Sequence, residues 1–309
     1  MIGITMPKED FEELPQPCKM KYYNSLVDSE TFECQVNVET NTLELRRVLR
    51  DPYKFGAESM IEFSIEDIVM PSSSRPTGTY QLNFYSKIGD EYMLVDTVKV
   101  FDKLRGIPGV LYGLDVLPML NQTYVEDTFD FNFYAAHKIL KDGFIEVVIP
   151  DELVFTDAAR CVQFSDGFSE DTQCSFDIES RVLNITGAFP EEPYTMLDTQ
   201  IQIKVEGIFT QRSVKPTSAF SFRTFDAQRY EIDTHRTYKL GPMNAALRVE
   251  QLRIIQESET VGDRTKYHIL LRSQYPLKNG DILFLETPPQ AAKNLAYTYK
   301  SDSCAGSDQ

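Results

Sequence analysis

The sequence predicts an all-β fold, written as tandem β-sandwich repeats of about 140 residues. Three observations predict it. Apolar and polar residues alternate at a period of two, as in Val36, Val38, Leu43 and Leu45, the mark of strands with one buried face. No amphipathic helix of ordinary length stands out, and Gly, Pro and Asn break the chain into runs about 10–15 residues apart. The order of motifs is also written twice and begun a third time.

The repeat is clearest where a strand runs into a proline and two cysteines. Residues 144–149 (FIEVVI) lead to Pro150, Cys161 and Cys174, and residues 2–6 (IGITM) lead to Pro7, Cys18 and Cys34. Proline to first cysteine is 11 residues in both cases (7 to 18, 150 to 161). A third start follows Gly280, with residues 281–286 (DILFLE), Thr287, Pro288 and Cys304. Past the cysteines, Phe176, Ile178, Leu183 and Ile185 stand 140 residues after Val36, Val38, Leu43 and Leu45.

The rest of the cycle follows the same plan. Ile61-Glu62-Phe63-Ser64-Ile65-Glu66 is matched by Ile201-Gln202-Ile203-Lys204-Val205-Glu206, and each leads to a Pro-Thr pair, Pro76-Thr77 and Pro216-Thr217. Strands at 80–84 and 220–225 come next, then Val95-Asp96-Thr97 and Ile232-Asp233-Thr234. Residues 110–117 match 247–254, and 129–133 (FDFNF) match 267–271 (YHILL). Leu140-Lys141-Asp142-Gly143 and Leu277-Lys278-Asn279-Gly280 then return the chain to the opening strand through a hairpin-type turn.

The phase of this cycle sets the expected domains. Residues 102–237 hold one complete set of strands. Residues 1–101 hold the later strands of a preceding sandwich, and 238–309 the early strands of a following one. The stretch therefore reads as an excerpt of a longer array. Its partial ends are complementary, so each is expected to be completed by an adjoining repeat or another copy of the chain.

Composition narrows the function. With 309 residues, 42% hydrophobic and 25% charged, the chain suits about two ordinary domains with real cores. A formal charge of −16 without clustered Lys and Arg argues against a nucleic-acid partner. No apolar run approaches the roughly 20 residues that span a bilayer, so no membrane-spanning segment is expected in this stretch.

The five cysteines are read through the repeat. Matched positions predict disulfides Cys18–Cys34 and Cys161–Cys174, with Cys304 left without a partner in this chain. Paired cysteines imply an oxidising, extracellular or cell-surface setting. Two sequons agree with it: Asn121-Gln122-Thr123 and Asn184-Ile185-Thr186 mark Asn121 and Asn184 as expected N-glycosylation sites, Asn184 facing solvent because Leu183 and Ile185 point inward.

Chemistry-bearing motifs are sparse. His137, His235 and His268 have no counterparts across the repeat; His235 is read as linker, and no catalytic residue is expected. The cysteines lack the close spacing of a zinc site. Acidic groups between the paired cysteines, Asp28 with Glu30 and Asp166 with Glu170 and Asp171, are calcium candidates set against solvated acidic loops, and no cofactor is expected. The 20 Phe and 16 Tyr are accounted for by sandwich packing.

The order Ile149-Pro150, Cys161, Cys174, Val205-Glu206-Gly207-Ile208, Pro216-Thr217, Phe220-Ser221-Phe222 and Phe225-Asp226 resembles the repeat of very large cell-surface proteins of ciliated protists. These are built from tandem disulfide-containing, immunoglobulin-like β-sandwich modules. The uneven cysteine spacing, 16 residues against 13 (18 to 34, 161 to 174), and the lack of Ser/Thr-rich runs depart from that pattern. The resemblance implies a non-enzymatic, extracellular structural role in a filament, appendage or coat, with copies of itself or adjoining repeats as partners. The alternative is an adhesin or receptor ectodomain binding glycan or protein through sandwich loops.

Overall fold

The computed structural model describes residues 1–7, 19–22, 33–37, 39–47, 60–66, 68–100, 104–189, 199–244, 251–260, 264–273, 279–280, 282 and 284. The chain divides into two compact units, Met1–Ala246 and Leu247–Gln309. Every described element is a β-strand.

The strands of the first unit, in chain order, are β1 (Ile2–Thr5), β2 (Lys19–Tyr22), β3 (Glu33–Asn37), β4 (Thr42–Arg46), β5 (Phe63–Glu66), β6 (Tyr80–Ile88), β7 (Glu91–Val100), β8 (Gly109–Val110), β9 (Tyr112–Pro118), β10 (Glu126–Tyr134), β11 (Phe144–Val148), β12 (Val154–Phe164), β13 (Gln173–Asp177), β14 (Val182–Thr186), β15 (Ile201–Phe209), β16 (Ala219–Phe225) and β17 (Glu231–Lys239). The second unit contributes β18 (Gln251–Gln256) and β19 (Tyr267–Arg272).

The strands from β8 to β17 form a complete sandwich. One sheet has the order β12-β15-β10-β9 and the other β13-β14-β11-β16-β17-β8. Period-two alternation decides which residues meet between them. On β10, Phe129, Phe131 and Phe133 are fully buried while Asp130 and Asn132 point away. They pack with Ile201, Ile203 and Val205 of β15 and with Ile145, Val147, Leu183, Ile185, Phe220 and Phe222 of the facing sheet in one core. Phe131 meets Phe220 at 6.2 Å edge-on and Phe222 at 6.0 Å between centroids. Burying each such ring is worth roughly 1.5–3 kcal/mol, so this core anchors the unit.

Residues 1–100 repeat that topology in part. Their larger sheet runs β3-β4-β1-β6-β7, strand for strand the order β13-β14-β11-β16-β17, and β2-β5 corresponds to β12-β15. Register agrees: Ile2 opposes Leu45 and Phe84, as Ile145 opposes Ile185 and Thr224.

The turn chemistry is duplicated too. Asn41 and Arg181 both hold a left-handed backbone at the hairpin, with φ of 51° and 59°. Each exchanges bonds with the end of the opening strand: the Met6 amide donates to the Asn41 carbonyl, and the Ile149 amide to the Arg181 carbonyl, at 3.0 and 2.9 Å. The Pro-Thr pairs have a common role as well. Thr77 and Thr217 are buried, and the hydroxyl of each accepts the amide of Leu104 or Leu240 at 3.1 Å.

The first sandwich lacks, among the described residues, counterparts of β8, β9 and β10. Its buried core is correspondingly small: Ile2 with Leu45, and Met6 with Leu43, flanked by half-buried Phe63, Ile65, Leu82 and Phe84. Val98 is 47% exposed on β7 opposite Leu82, in the place of His235 opposite Phe222.

In the second unit, β18 and β19 form an antiparallel pair with Ile254 opposite Ile269. β9 and β10 pair the same way, with Val116 opposite Phe131. Both residues of the pair are offset by 138 (254 less 116, 269 less 131), one residue from the sequence alignment of β18, because cross-strand register and not residue type fixes the match. Within the third expected start, at 281–286, only Ile282 and Phe284 are described, and both are exposed.

Candidate functional site

Cys161 on β12 and Cys174 on β13 are joined, with Cα atoms 6.1 Å apart. Since β12 and β13 belong to different sheets, the bond staples the sandwich at its edge. Cys34 is also disulfide-bonded; Cys18 and Cys304 lie outside the described residues, as do Asp28 and Glu30.

The acidic loop after β12 is organised by its own polar groups. The Phe168 amide donates to the Ser165 carbonyl, the Ser169 amide to the Ala188 carbonyl, and the Asp171 amide to the Ser169 hydroxyl. Asp166, Glu170 and Asp171 are not gathered: among the described residues no group of three or more His, Cys, Asp or Glu is placed to hold a metal ion.

Asn121 is exposed, with φ of 44° in the turn before β10. Asn184 does point away from the core, but it is half-buried. Its neighbour in register on β11 is Glu146, whose nearly buried carboxylate pairs with Arg223 and lies 3.9 Å from Arg229. Phe144 and Phe225 stack beside them at 4.8 Å, with Arg229 over the Phe144 ring. The strand pattern shows which way Asn184 points; it is silent about this charged cover.

Two histidines have acidic partners. Asp233 is fully buried. Its Oδ2 accepts the amides of Ala136 and His137 at 2.9 and 3.0 Å, and its Oδ1 faces His137 Nδ1 at 2.7 Å. The carboxylate thus clamps the loop after β10 to β17. Gly109 of β8 runs alongside, and a Cβ there would come within 2.2 Å of Asp233 Oδ1, so only glycine admits this approach. His268 faces Glu257 at 3.0 Å on the second unit. His235 is not in a linker but within β17, because the strand continues to Lys239 to match β16.

Two ionisable groups mark further ties. Burial holds the Tyr238 phenol above its usual pKa against the opposing Val116 bond, and Asp115 reinforces the shift. Tyr238 donates to Asp115 and accepts from the Val116 amide at 3.0 Å, so β17 grips β9. For Glu152, burial pushes the carboxyl up, but the Ser218 hydroxyl and amide together with Arg181 outweigh it and leave the pKa lowered.

Each unit has a strand that leaves apolar side chains exposed. The hairpin carries Leu252, Ile254 and Ile269 in the open, and β7 carries Val98 and Val100 on the face shared with Leu82 and Tyr80. On the complete sandwich the same faces are closed. Each of these open faces, taken within its own unit, is a candidate contact surface.

No protein-family model matches the chain, and no curated protein matches it. Among solved structures it is similar to the C-terminal domain of the Streptococcus pyogenes antigen I/II-family protein AspA, with TM-score 0.27 and 9% identity over 77% of this chain and 83% of that one. The Streptococcus agalactiae AgI/II polypeptide BspA C-terminal domain gives TM-score 0.28 and 11% identity over 77% and 82%. The full-length major pilin RrgB from Streptococcus pneumoniae gives 0.24 and 8% over 88% and 61%. Likeness at this level carries no argument, and the functional reading rests on the geometry above.

Proposed function

We propose that this chain is a non-enzymatic extracellular structural protein whose tandem, immunoglobulin-like β-sandwich repeats of about 140 residues build a filament, appendage or surface coat by head-to-tail association. The observation that carries this reading is the duplicated strand order, β3-β4-β1-β6-β7 and β13-β14-β11-β16-β17, followed by a hairpin paired like β9 and β10. The three segments are then 1–101, 102–237 and 238–309, one complete repeat between two partial ones.

The disulfide at Cys161–Cys174 supports an oxidising, extracellular setting, and glycans on Asn121 and Asn184 belong to the same reading. So does the resemblance to tandem-repeat surface proteins of ciliates. The buried Asp233 is engaged as a loop clamp, which supports a structural rather than a catalytic use of His137. A contact between unlike ends propagates into a filament wherever its rotation does not close a ring. Light scattering across a concentration series tests the reading: mass should rise steadily with concentration. A constant monomer mass, with binding on a glycan array, would instead support an adhesin.

A further inference from the structure

The two cycles, laid over one another, specify where the hairpin belongs. β10 lies antiparallel to β15, with Phe131 opposite Ile203 and Phe129 opposite Val205. β19 carries the residues of β10 at an offset of 138, and β5 those of β15 at 140. Both offsets together set Ile269 opposite Phe63, Tyr267 opposite Ile65, and Leu270 opposite Glu62. Among the described strands, only β2 pairs with β5.

We propose that the β18–β19 hairpin of one copy seats on the first sandwich of a second copy, β19 antiparallel to β5 with Ile269 opposite Phe63. This rests on the head-to-tail reading above and names its interface.

Shape and charge both select this occupant. In the complete sandwich, β10 covers β16 by setting Phe131 against Phe220 and Phe222. The residue in the place of Phe222 is Leu82, only half-buried, and beside it Val98 and Val100 on β7 are 47% and 37% exposed. The hairpin's matching face holds Ile269 and Ile254, 38% and 51% exposed. Each surface is the cover that the other lacks.

The outward faces are complementary in charge. Glu62, just before β5, and Glu66 at its end are exposed. The hairpin sets Arg253, His268 and Arg272 on the face opposite Ile254 and Ile269, where exposed Ile255 and Leu270 also lie. Glu257 meets Lys266 and His268 there at 3.7 and 3.0 Å, leaving that face net positive. In the proposed register Lys266 opposes Glu66, as Thr128 opposes Glu206. His268 and Glu62 take the places of Asp130 and Gln202, which hydrogen-bond at 3.0–3.1 Å. A slip of one residue would drive Lys266 and His268 into the core and turn Ile269 to solvent, so register is tightly specified.

The test mixes two chains that each carry one added cysteine beside the five native ones, Glu62→Cys and Leu270→Cys, so that any link between the new residues joins two molecules. Directly opposed residues sit within disulfide reach. After oxidation in a glutathione buffer, non-reducing peptide mapping should recover the 62–270 link, with far less when His268→Cys replaces Leu270→Cys. Ile269→Asp should weaken association at least about tenfold, with the thermal transition of the first unit unchanged. Association without the 62–270 link, or with 62–268 favoured, overturns this interface and leaves head-to-tail assembly standing. Absence of association at any concentration overturns both.

Discussion

Phe131 and Phe222 meet across the complete sandwich at 6.0 Å, whereas Leu82, in the place of Phe222, is half-buried beside an exposed Val98. Equivalent positions in the two matching strand orders thus close a core in one case and stand at an open face in the other.

This contrast predicts unequal costs of truncation. Phe131→Ala should destabilise the complete sandwich by about 3–5 kcal/mol, as large aromatic deletions from tight cores do. Leu82→Ala should cost under about 2 kcal/mol in dilute protein, since little surrounds it to be lost. Urea unfolding of both variants reads the difference. Equal costs would mean that the first sandwich is already closed.

The Cys161–Cys174 bond closes a loop of 13 residues. Replacing both with Ala should lower stability by about 3 kcal/mol, mainly through a less constrained unfolded chain. Denaturant midpoints measured against the oxidised parent check this. An unchanged midpoint would remove the staple from the account.

The strands and the two Pro-Thr pairs are legible in the sequence because alternation and spacing are local properties. FDFNF at 129–133 states which side of β10 is buried before any partner is known. What is illegible depends on contacts between distant elements. Nothing near Asp233 says that its carboxylate is fully buried against the amides of Ala136 and His137. Asn184 reads as solvent-facing, yet it is half-buried beside Glu146 in register. The acidic residues 166, 170 and 171 share a loop, but among the described residues no group of three or more is placed to hold a metal ion.

The paired threonines offer a test of repeat equivalence. Thr77→Val and Thr217→Val each remove the acceptor for a leucine amide, Leu104 or Leu240. Thr217→Val should cost about 1–3 kcal/mol, the penalty for a buried donor left unsatisfied, and Thr77→Val less, because Leu104 is half exposed. Hydrogen exchange should show the Leu104 and Leu240 amides losing protection in the respective variants. Loss at only one site would break the equivalence.

Asp233→Ala should be more damaging, because two backbone amides and an imidazole lose their acceptor at once. A loss of about 2–4 kcal/mol is expected, with faster exchange at Ala136 and His137. Asp233→Asn, which keeps an acceptor oxygen, should recover part of it. Wild-type protection of both amides in the alanine variant would contradict the clamp.

Head-to-tail assembly itself is tested most directly by negative-stain imaging of concentrated protein. Strands of about ten residues at roughly 3.3 Å each give a sandwich about 30–40 Å long. The account predicts unbranched filaments with an axial repeat built from that length. Discrete compact particles of single-chain size at every concentration would contradict it.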